Sequence, residues 1–181
     1  MRKVIAGLFI SLDGVAEASD QWQFDFDEEM GAAMSRLLDG QDAALLGRVT
    51  YDEWAGYWPT ASDPFADYLN KITKYVASTT LESVEWENSS LITGSVADFV
   101  RDLREQDGGT IGTAGSPTLV RYLLGEGLVD ELVLLIHPVV AGGNRKRLFT
   151  VDADLAKLKL ISSTSTSSGV IVASYEPLPG Q

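Results

Sequence analysis

Two segments of the chain combine glycine with groups that bind anions, and each follows a short apolar run. The first is Leu45-Leu46-Gly47-Arg48-Val49-Thr50. Where a strand leads into a helix, Gly47 lets a ligand approach the backbone closely, and the first helical turn offers free N–H groups and a positive dipole end. Arg48 adds a planar cation and Thr50 a hydroxyl. The segment suits a pyrophosphate or a ribose phosphate, and an ordinary strand–helix turn with a surface arginine is the alternative.

The second segment is Ile111-Gly112-Thr113-Ala114-Gly115-Ser116-Pro117-Thr118. It again reads as a strand, then small residues, then the first turn of a helix. It lacks both the Gly-Lys-Ser/Thr of a Walker sequence and the Gly-x-Gly-x-x-Gly spacing, so by itself it is a weak signal. A dinucleotide that bridges two parallel strands needs an anion site at the carboxyl end of each. The two segments together therefore predict nucleotide binding.

Two acidic residues, Asp13 and Asp27, are candidate proton donors. Asp13 lies in Ser11-Leu12-Asp13-Gly14, just after the first apolar run. Asp27 lies near the start of the first predicted helix, where Glu28 and Glu29 are rivals for the same role. Each position also has a structural interpretation, because Asp-Gly is a turn signal and acids at a helix N-terminus stabilise its dipole.

Residue counts exclude several kinds of chemistry. The chain has no cysteine, which excludes disulfides and thiolate catalysis, and one histidine, His137, which excludes a multi-histidine metal site. His137 lies in the most apolar run and is predicted to be packed rather than catalytic. With 14 basic and 26 acidic residues the net charge is −12, which argues against binding to nucleic acid. No basic residue lies between Lys3 and Arg36, so this acidic stretch is either a solvated loop or a carboxylate-lined substrate mouth.

No apolar run approaches the roughly 20 residues that a membrane helix needs, so no membrane partner is expected. The start of the chain, residues 1–10, is basic and then apolar. It is predicted to be the first strand rather than a secretory signal, and the protein is expected to be cytoplasmic.

Hydrophobic periodicity and turn residues predict alternating strands and helices over one domain, residues 1–181. The predicted strands are 2–10, 42–46, 74–78, 90–93, 110–112 and 129–140, followed by a closing hairpin of 157–160 and 170–173. The predicted helices are 27–38, 51–55, 96–105 and one that opens at 115–117. The fold class is therefore α/β, with a mixed, mainly parallel central sheet, flanking helices and a C-terminal antiparallel hairpin.

Several motifs, in order along the chain, resemble one known family. Leu46-Gly47-Arg48-Val49-Thr50-Tyr51 resembles the Gly-Arg-x-Thr-aromatic segment of dihydrofolate reductases and of the reductase domain of the bifunctional riboflavin-biosynthesis deaminase/reductase. The further blocks that resemble the latter are residues 11–14, 115–119, 123–132, 138–143 and 147–149. The ordered set spans most of the chain and implies the three-layer dihydrofolate reductase-like fold.

The resemblance also implies NADPH as the cofactor. Gly47, Arg48 and Thr50 would hold one side of its pyrophosphate, with Arg48 near the phosphate of the adenosine ribose. Ser78 and Thr79 would meet that phosphate or the adenine. The other side of the pyrophosphate would be lined, largely through backbone N–H groups, by Ala114, Gly115, Ser116, Pro117 and Thr118.

At the other end of the cofactor, Ala6 and either Val15 or Ala16 would approach the nicotinamide. Trp54 would wall the substrate pocket, and a core position is its alternative. The implied reaction is hydride transfer from NADPH to a C=N or C=C bond of a small heterocycle, pterin-like or pyrimidine-like, with the proton from an acid or directly from water. A nucleotide-binding protein that keeps the fold without turnover is the alternative function, and a purely structural module is a third.

The chain departs from the pattern of the riboflavin-pathway reductases at Thr113-Ala114-Gly115, where that pattern has Glu-Gly-Gly. The loss of the acidic residue argues against the same substrate. The basic cluster Arg145-Lys146-Arg147 either meets a substrate phosphate or forms a solvated loop. Because the resembled reductases pair their subunits, a homodimer is expected.

Overall fold

The computed structural model describes residues 1–63, 65–151, 153 and 155–178. The strands are β1 (Val4–Ser11), β2 (Gln41–Gly47), β3 (Thr73–Ala77), β4 (Ser89–Leu91), β5 (Thr110–Ala114), β6 (Glu131–His137), β7 (Leu158–Ser165) and β8 (Ile171–Pro177). The helices are α1 (Glu28–Leu38), α2 (Arg48–Tyr57), α3 (Ala66–Lys71), α4 (Val96–Glu105) and α5 (Pro117–Gly125). Short 3₁₀ turns lie at Ser19–Gln21 and Trp58–Thr60.

These strands form one sheet in the order β4-β3-β2-β5-β1-β6-β8-β7. The strands from β4 to β6 in that order pair in parallel, whereas β8 is antiparallel to β6 and β7 is antiparallel to β8. The predicted mixed, mainly parallel sheet with a closing hairpin is confirmed. Because the parallel strands point the same way, their carboxyl ends meet at one edge of the sheet, where open α/β sheets bind their ligands.

Helices cover both faces of the sheet. Side chains along a strand point alternately to one face and the other, so neighbouring residues of β2 pack against different helices. Leu45 of β2 packs with Val100 of α4 in the largest buried cluster, to which α5 also contributes. The next residue, Leu46, packs on the opposite face with Tyr51 of α2 and Leu69 of α3. None of the helices in the described ranges is long and apolar enough to cross a membrane.

Helix α1 lies on the same face as α2 and α3, over β1 and β6. Met30 of α1 is fully buried against Leu135 of β6. Gly7 of β1 makes room for the helix, since a Cβ at this position would collide with the side chain of Leu37. On this face the middle strands of the sheet lie between α1 on one side and α2 with α3 on the other, and we call the region above them the cleft.

Several predicted boundaries are wrong in position. The strands of the closing hairpin are longer than predicted and end at Ser165 and Pro177. Helix α2 begins at Arg48 rather than near Tyr51, because Gly47 is still extended and serves as its N-cap. The strand predicted over 129–140 is shorter and ends at His137, since Pro138 follows it and has no N–H to donate to a ladder.

A short helix was also missed. The segment around Pro59 and Pro64 is predicted as a loop, but α3 begins soon after it. Helix α3 has six residues, too few to show a hydrophobic period. Pro64 itself lies outside the described residues.

Candidate active site

The two glycine-containing segments lie side by side at the carboxyl edge of the sheet. Strands β2 and β5 are parallel neighbours, with Leu45 opposite Thr113. Gly47 ends β2 and caps α2, while Ser116 caps α5. A Cβ on Gly47 would collide with Oγ and Cβ of Ser116, so only glycine permits this approach. The N-termini of α2 and α5 therefore converge, and we call the segments Gly47–Thr50 and Gly115–Thr118 the junction side of the cleft.

The backbone of the second segment is unusual. Gly115 has φ +61° and Ser116 has φ +56°, so two consecutive residues adopt the left-handed conformation. For a non-glycine residue this costs about 1–3 kcal/mol, and such strain concentrates at ligand sites. Ser116 Oγ accepts a hydrogen bond from the N–H of Leu119 at 3.4 Å, which fixes the start of α5. The backbone of Ala114, the residue before Gly115, pairs with the backbone of Gly7 in β1.

Arg48 and the end of β3 lie beside the junction side. Arg48 Nη1 donates to Asp52 Oδ2 at 2.8 Å, and both side chains are nearly half exposed, so this pair is worth little and can rearrange around an anion. Gly47 lies opposite Ala77 in the sheet, which places Ser78 and Thr79 next to it. Ser78 Oγ accepts from the N–H of Leu81 at 2.9 Å. The structure thus brings the predicted phosphate-binding residues of two loops together.

The residues predicted to meet the nicotinamide lie deeper. Ala6 is fully buried in the middle of β1, opposite Thr113. Val15 is also fully buried, and Ala16 packs at the edge of the same core cluster. Thr113 Oγ1 is buried and has no hydrogen-bond partner within the described part of the chain. The sequence shows Thr113 only as a departure from the Glu-Gly-Gly pattern, and the burial of its unpaired hydroxyl depends on the fold.

Asp13 serves a turn. It accepts from Ser11 Oγ at 2.7 Å and from the N–H groups of Ala141 at 2.9 Å and Gly142 at 3.0 Å. Arg147 Nη2 also donates to it at 3.2 Å. The hydrogen bond from Ser11, followed by those from the two N–H groups, lowers the pKa of Asp13 to about 2. A carboxylate in this state holds no proton at neutral pH, and these contacts favour the structural interpretation.

The basic cluster is bound to the same loop. Arg147 pairs with Asp13, Lys146 Nζ lies 3.1 Å from Glu17 Oε1, and Arg145 Nη2 donates to Gln21 Oε1 at 3.1 Å. We call these three contacts the loop clamp, because they tie the segment after β1 to the segment after β6. Both interpretations of this basic cluster, a substrate phosphate site and a solvated loop, stay predictions, and the structure adds that its side chains contact other residues of the chain.

Asp27 caps α1. It accepts from the N–H of Met30 at 2.7 Å and from the N–H of Ser168 at 3.0 Å. Hydrogen bonds from Ser168 and Met30 hold the pKa of Asp27 well below its usual range. Glu29 accepts from Ser167, and Glu28 is exposed. The start of α1 is thereby fastened to the turn between β7 and β8, and the catalytic assignment of Asp27, like that of Asp13, stays a prediction.

Trp54 belongs to a group of aromatic residues on the side of the cleft opposite α1. It is half-buried and meets the ring of Trp58 edge to face, with centroids 5.9 Å apart. Phe65, just before α3, meets Phe26, just before α1, with centroids 6.4 Å apart. We call Trp54, Trp58 and Phe65 the aromatic wall. Sequence reasoning found Trp54 alone, because the other rings are brought together by the fold and not by spacing.

Gln41 lies at the lower end of the cleft and contacts the helices on both sides of it. Gln41 Nε2 donates to the carbonyl of Leu37 in α1 at 2.6 Å, and Tyr68 Oη in α3 donates to Gln41 Oε1 at 3.1 Å. The Gln41 side chain lies over Gly112 of β5, where a Cβ would collide with it. A single amide therefore links both walls at the lower end, and the Phe26–Phe65 contact links them at the upper end.

His137 is packed, as predicted. It is 3% exposed, and the rings of Phe9 and Trp22 each meet it edge to face at 5.6 Å. Burial lowers its pKa, so the imidazole is neutral at pH 7.

Comparison with known proteins gives a consistent result. The family profile of the RibD C-terminal domain matches residues 2–172. The chain is 31% identical over 182 residues to the uncharacterized protein YyaP of Bacillus subtilis (strain 168), covering 96% of this chain and 94% of that protein.

Two solved structures share the architecture. A protein of Shewanella sp. PV-4, described as a riboflavin biosynthesis protein, superposes with a TM-score of 0.75 at 22% identity, covering 98% of this chain and 99% of that one. The dihydrofolate reductase of Enterococcus faecalis, solved with NADP(H), superposes with a TM-score of 0.63 at 12% identity, covering 97% and 96%. At these identities the likeness shows the fold alone, and the predicted dihydrofolate reductase-like fold is confirmed.

Proposed function

Because the chain belongs to the family of the RibD C-terminal domain, a family of reductases, we propose that it is an NADPH-dependent reductase of a small heterocycle. The reaction would transfer hydride to a C=N or C=C bond of a pterin-like or pyrimidine-like ring. The observation that carries the proposal is the convergence of two helix N-termini at the junction side, where Gly47 and Ser116 touch. A dinucleotide pyrophosphate needs two such anion sites on neighbouring parallel strands.

The residues of the junction side fit this cofactor. Gly47 leaves the backbone open and has no side chain to cap α2, so the N–H groups of the first turn of α2 can donate to a ligand. At the start of α5, Pro117 has no N–H and Leu119 donates to Ser116 Oγ, which leaves the N–H of Thr118. Arg48, with Ser78 and Thr79 beside it, would hold the phosphate on the adenosine ribose, which favours NADPH over NADH. When bound, the cofactor supplies the hydride, while the chain binds it, orients it and excludes water.

In this proposal, the proton that the substrate takes up comes from neither Asp13 nor Asp27. Because Asp13 is ionised at neutral pH and its contacts all serve the turn, it has no proton to give. The same holds for Asp27, whose pKa is lowered by Ser168 and Met30. We therefore propose that water protonates the substrate and that the two carboxylates fix the loops that border the cleft.

A titration with NADPH and with NADH tests the cofactor, using energy transfer from the four tryptophans to the nicotinamide. NADPH should bind in the micromolar range and NADH more weakly. Arg48→Ala removes a charge-assisted hydrogen bond of about 1.5–3 kcal/mol, so NADPH affinity should fall by about tenfold or more.

Arg36→Ala is the matched control, because Arg36 is exposed in the last turn of α1, at the opposite edge of the sheet. Equal effects of the two substitutions would contradict the assignment of Arg48. Absence of binding by either nucleotide would refute the proposal. Binding without NADPH oxidation by any heterocycle would favour the alternative, a nucleotide-binding protein that keeps the fold without turnover.

We also propose a homodimer, which uses the free edge of the sheet. Strand β7 lies at that edge, and its Leu160 and Ile161 are both 53% exposed. An exposed apolar edge strand is a template for pairing with another chain. Light scattering should give twice the monomer mass of 19.6 kDa, and Ile161→Lys should shift the protein to the monomer. A monomeric wild type would contradict this proposal.

A further inference from the structure

The walls of the cleft differ in chemistry from its junction side. Trp58 meets Trp54 at 5.9 Å and Tyr57 at 5.0 Å, both edge to face. Phe65 and Phe26 meet above them across the gap between α3 and α1. Phe26 is 50% exposed, so its ring can move without exposing a core. A space bordered by aromatic rings favours a flat ring over a flexible or branched molecule, because stacking and edge contacts need planar partners.

Trp58 also has an unused hydrogen-bond donor. Its indole Nε1 is buried, yet no acceptor lies within reach of it in the described part of the chain. The backbone of Trp58 is held in place, since its carbonyl accepts from Asn70 Nδ2 at 2.9 Å. A buried donor without a partner is costly, so native proteins satisfy such groups with water or a ligand. In an aromatic wall, a ring carbonyl or ring nitrogen of a bound heterocycle is the acceptor that fits.

The charged residues at the mouth of the cleft bear on whether the ligand can carry a phosphate group. The upper ends of α1 and α3 and the segments leading into them carry only acidic ionisable groups among their described residues, namely Asp25, Asp27, Glu28, Glu29, Asp63 and Asp67. The basic residues of these two helices, Arg36 and Lys71, lie in their last turns at the other edge of the sheet. The basic cluster 145–147 contacts Asp13, Glu17 and Gln21 in the loop clamp, and none of its described contacts is with the acidic residues of this mouth. A phosphate group at this mouth would be repelled, whereas a neutral or cationic ring would not.

We infer that the substrate is a planar heterocycle without a phosphate group, held against the aromatic wall with a ring acceptor bonded to Trp58 Nε1. The inference rests on the proposed reductase function, since it names the substrate class of that site. It separates this chain from reductases that act on phosphorylated pyrimidines. Trp58 becomes a specificity-determining residue, because it recognises the ring edge and not the reacting bond.

Calorimetric titration of the NADP⁺-loaded protein with neopterin and with neopterin monophosphate tests the inference. The two probes share the same fused pterin ring system with its carbonyl acceptor and differ by a phosphate, and NADP⁺ prevents turnover. Neopterin should bind at least about tenfold more tightly in low salt, and the difference should narrow in high salt because salt screens exposed charges. Equal binding, tighter binding of the monophosphate, or binding of neither probe would overturn the inference.

Trp58→Phe keeps a ring and removes the N–H. Loss of one hydrogen bond should weaken neopterin binding about three- to tenfold, while NADP⁺ affinity and the melting temperature stay close to wild type. Trp54→Phe is the matched control, because it trims a neighbouring ring of the same wall and should weaken neopterin binding less. Unchanged neopterin affinity in Trp58→Phe would show that water satisfies the indole and would overturn the role of Trp58. A separate titration of each protein with NADP⁺ distinguishes this failure from failure of the proposed function, which would abolish NADP⁺ binding itself.

Discussion

In the proposed site, the junction side of the cleft would present backbone to a ligand, whereas the aromatic wall would present side chains. On the junction side the important features belong to the backbone, namely the missing Cβ of Gly47 and the N–H groups at the starts of two helices. On the aromatic wall they are bulky rings and one indole N–H. A backbone site suits a group common to many reactions, such as a pyrophosphate, because it does not depend on side-chain identity. A side-chain site can change its substrate by substitution while the fold and the cofactor site persist.

The same contrast runs along the loop between β1 and α1. Its first part is held by the loop clamp, through Asp13, Glu17 and Gln21. Its last part carries Phe24, which is 77% exposed, and Phe26, which closes the mouth of the cleft against Phe65. One loop thus has a fixed half, bonded to the segment after β6, and an open half beside the aromatic wall. If the proposed substrate enters past Phe26, we expect the open half of the loop to move and the fixed half to stay in place.

Adding one methyl group to the junction side gives the largest expected effect. In Gly47→Ala the new Cβ meets Oγ and Cβ of Ser116, and a shift of α5 away from α2 would separate the two anion sites. NADPH affinity should fall more than tenfold, and overpacking should cost about 1–3 kcal/mol of unfolding free energy. The NADPH titration and urea unfolding measure both quantities.

Gly56→Ala controls for the glycine itself. Gly56 lies in α2, and nothing lies within 4 Å of a Cβ built there. Alanine inside a helix should stabilise the protein by about 0.5–1 kcal/mol, with NADPH affinity unchanged. If Gly47→Ala bound NADPH with the same affinity as Gly56→Ala, cofactor binding at the junction side would not depend on the missing Cβ of Gly47. The contrast between a backbone site and a side-chain site would then be wrong.

The junction side could be predicted from the sequence because its signals are local. Glycine after an apolar strand and proline in the first helical turn each have one physical reason to be there, and both segments were found. Helix α4 was predicted with its observed bounds for a similar reason, since its apolar residues recur at helical spacing. Strand pairing then brings Gly47 and Ser116 together without further information.

The aromatic wall could not be predicted in the same way. Phe26 and Phe65 are far apart in sequence, and their contact depends on how α1 and α3 pack. The partners of Asp13 were equally hidden, because Arg147 lies 134 residues away and its charge gives no sign of which carboxylate it meets. Long-range side-chain pairing therefore sets the surroundings of each carboxylate, and the local sequence does not reveal it.

A smaller effect is expected from Asp13→Asn, which opens the fixed half of the loop. The folded pKa of Asp13 is about 2, below its ordinary value of 3.8, so the carboxylate stabilises the fold fully above its unfolded pKa. That contribution is lost as pH falls through the folded value. The melting temperature of Asp13→Asn should therefore lie below that of wild type at pH 7, and the two should converge near pH 2.

Asp25→Asn is the control for the Asp13 substitution, since Asp25 is exposed in the open half of the same loop and should leave the melting temperature unchanged at either pH. Hydrogen exchange should locate the loosening of Asp13→Asn at the N–H groups of Ala141 and Gly142, which lose a charged acceptor. Neopterin affinity should hardly change, because the aromatic wall is bordered by the open half. A loss of neopterin affinity as large as that in Trp58→Phe would mean that the two halves of the loop move as one.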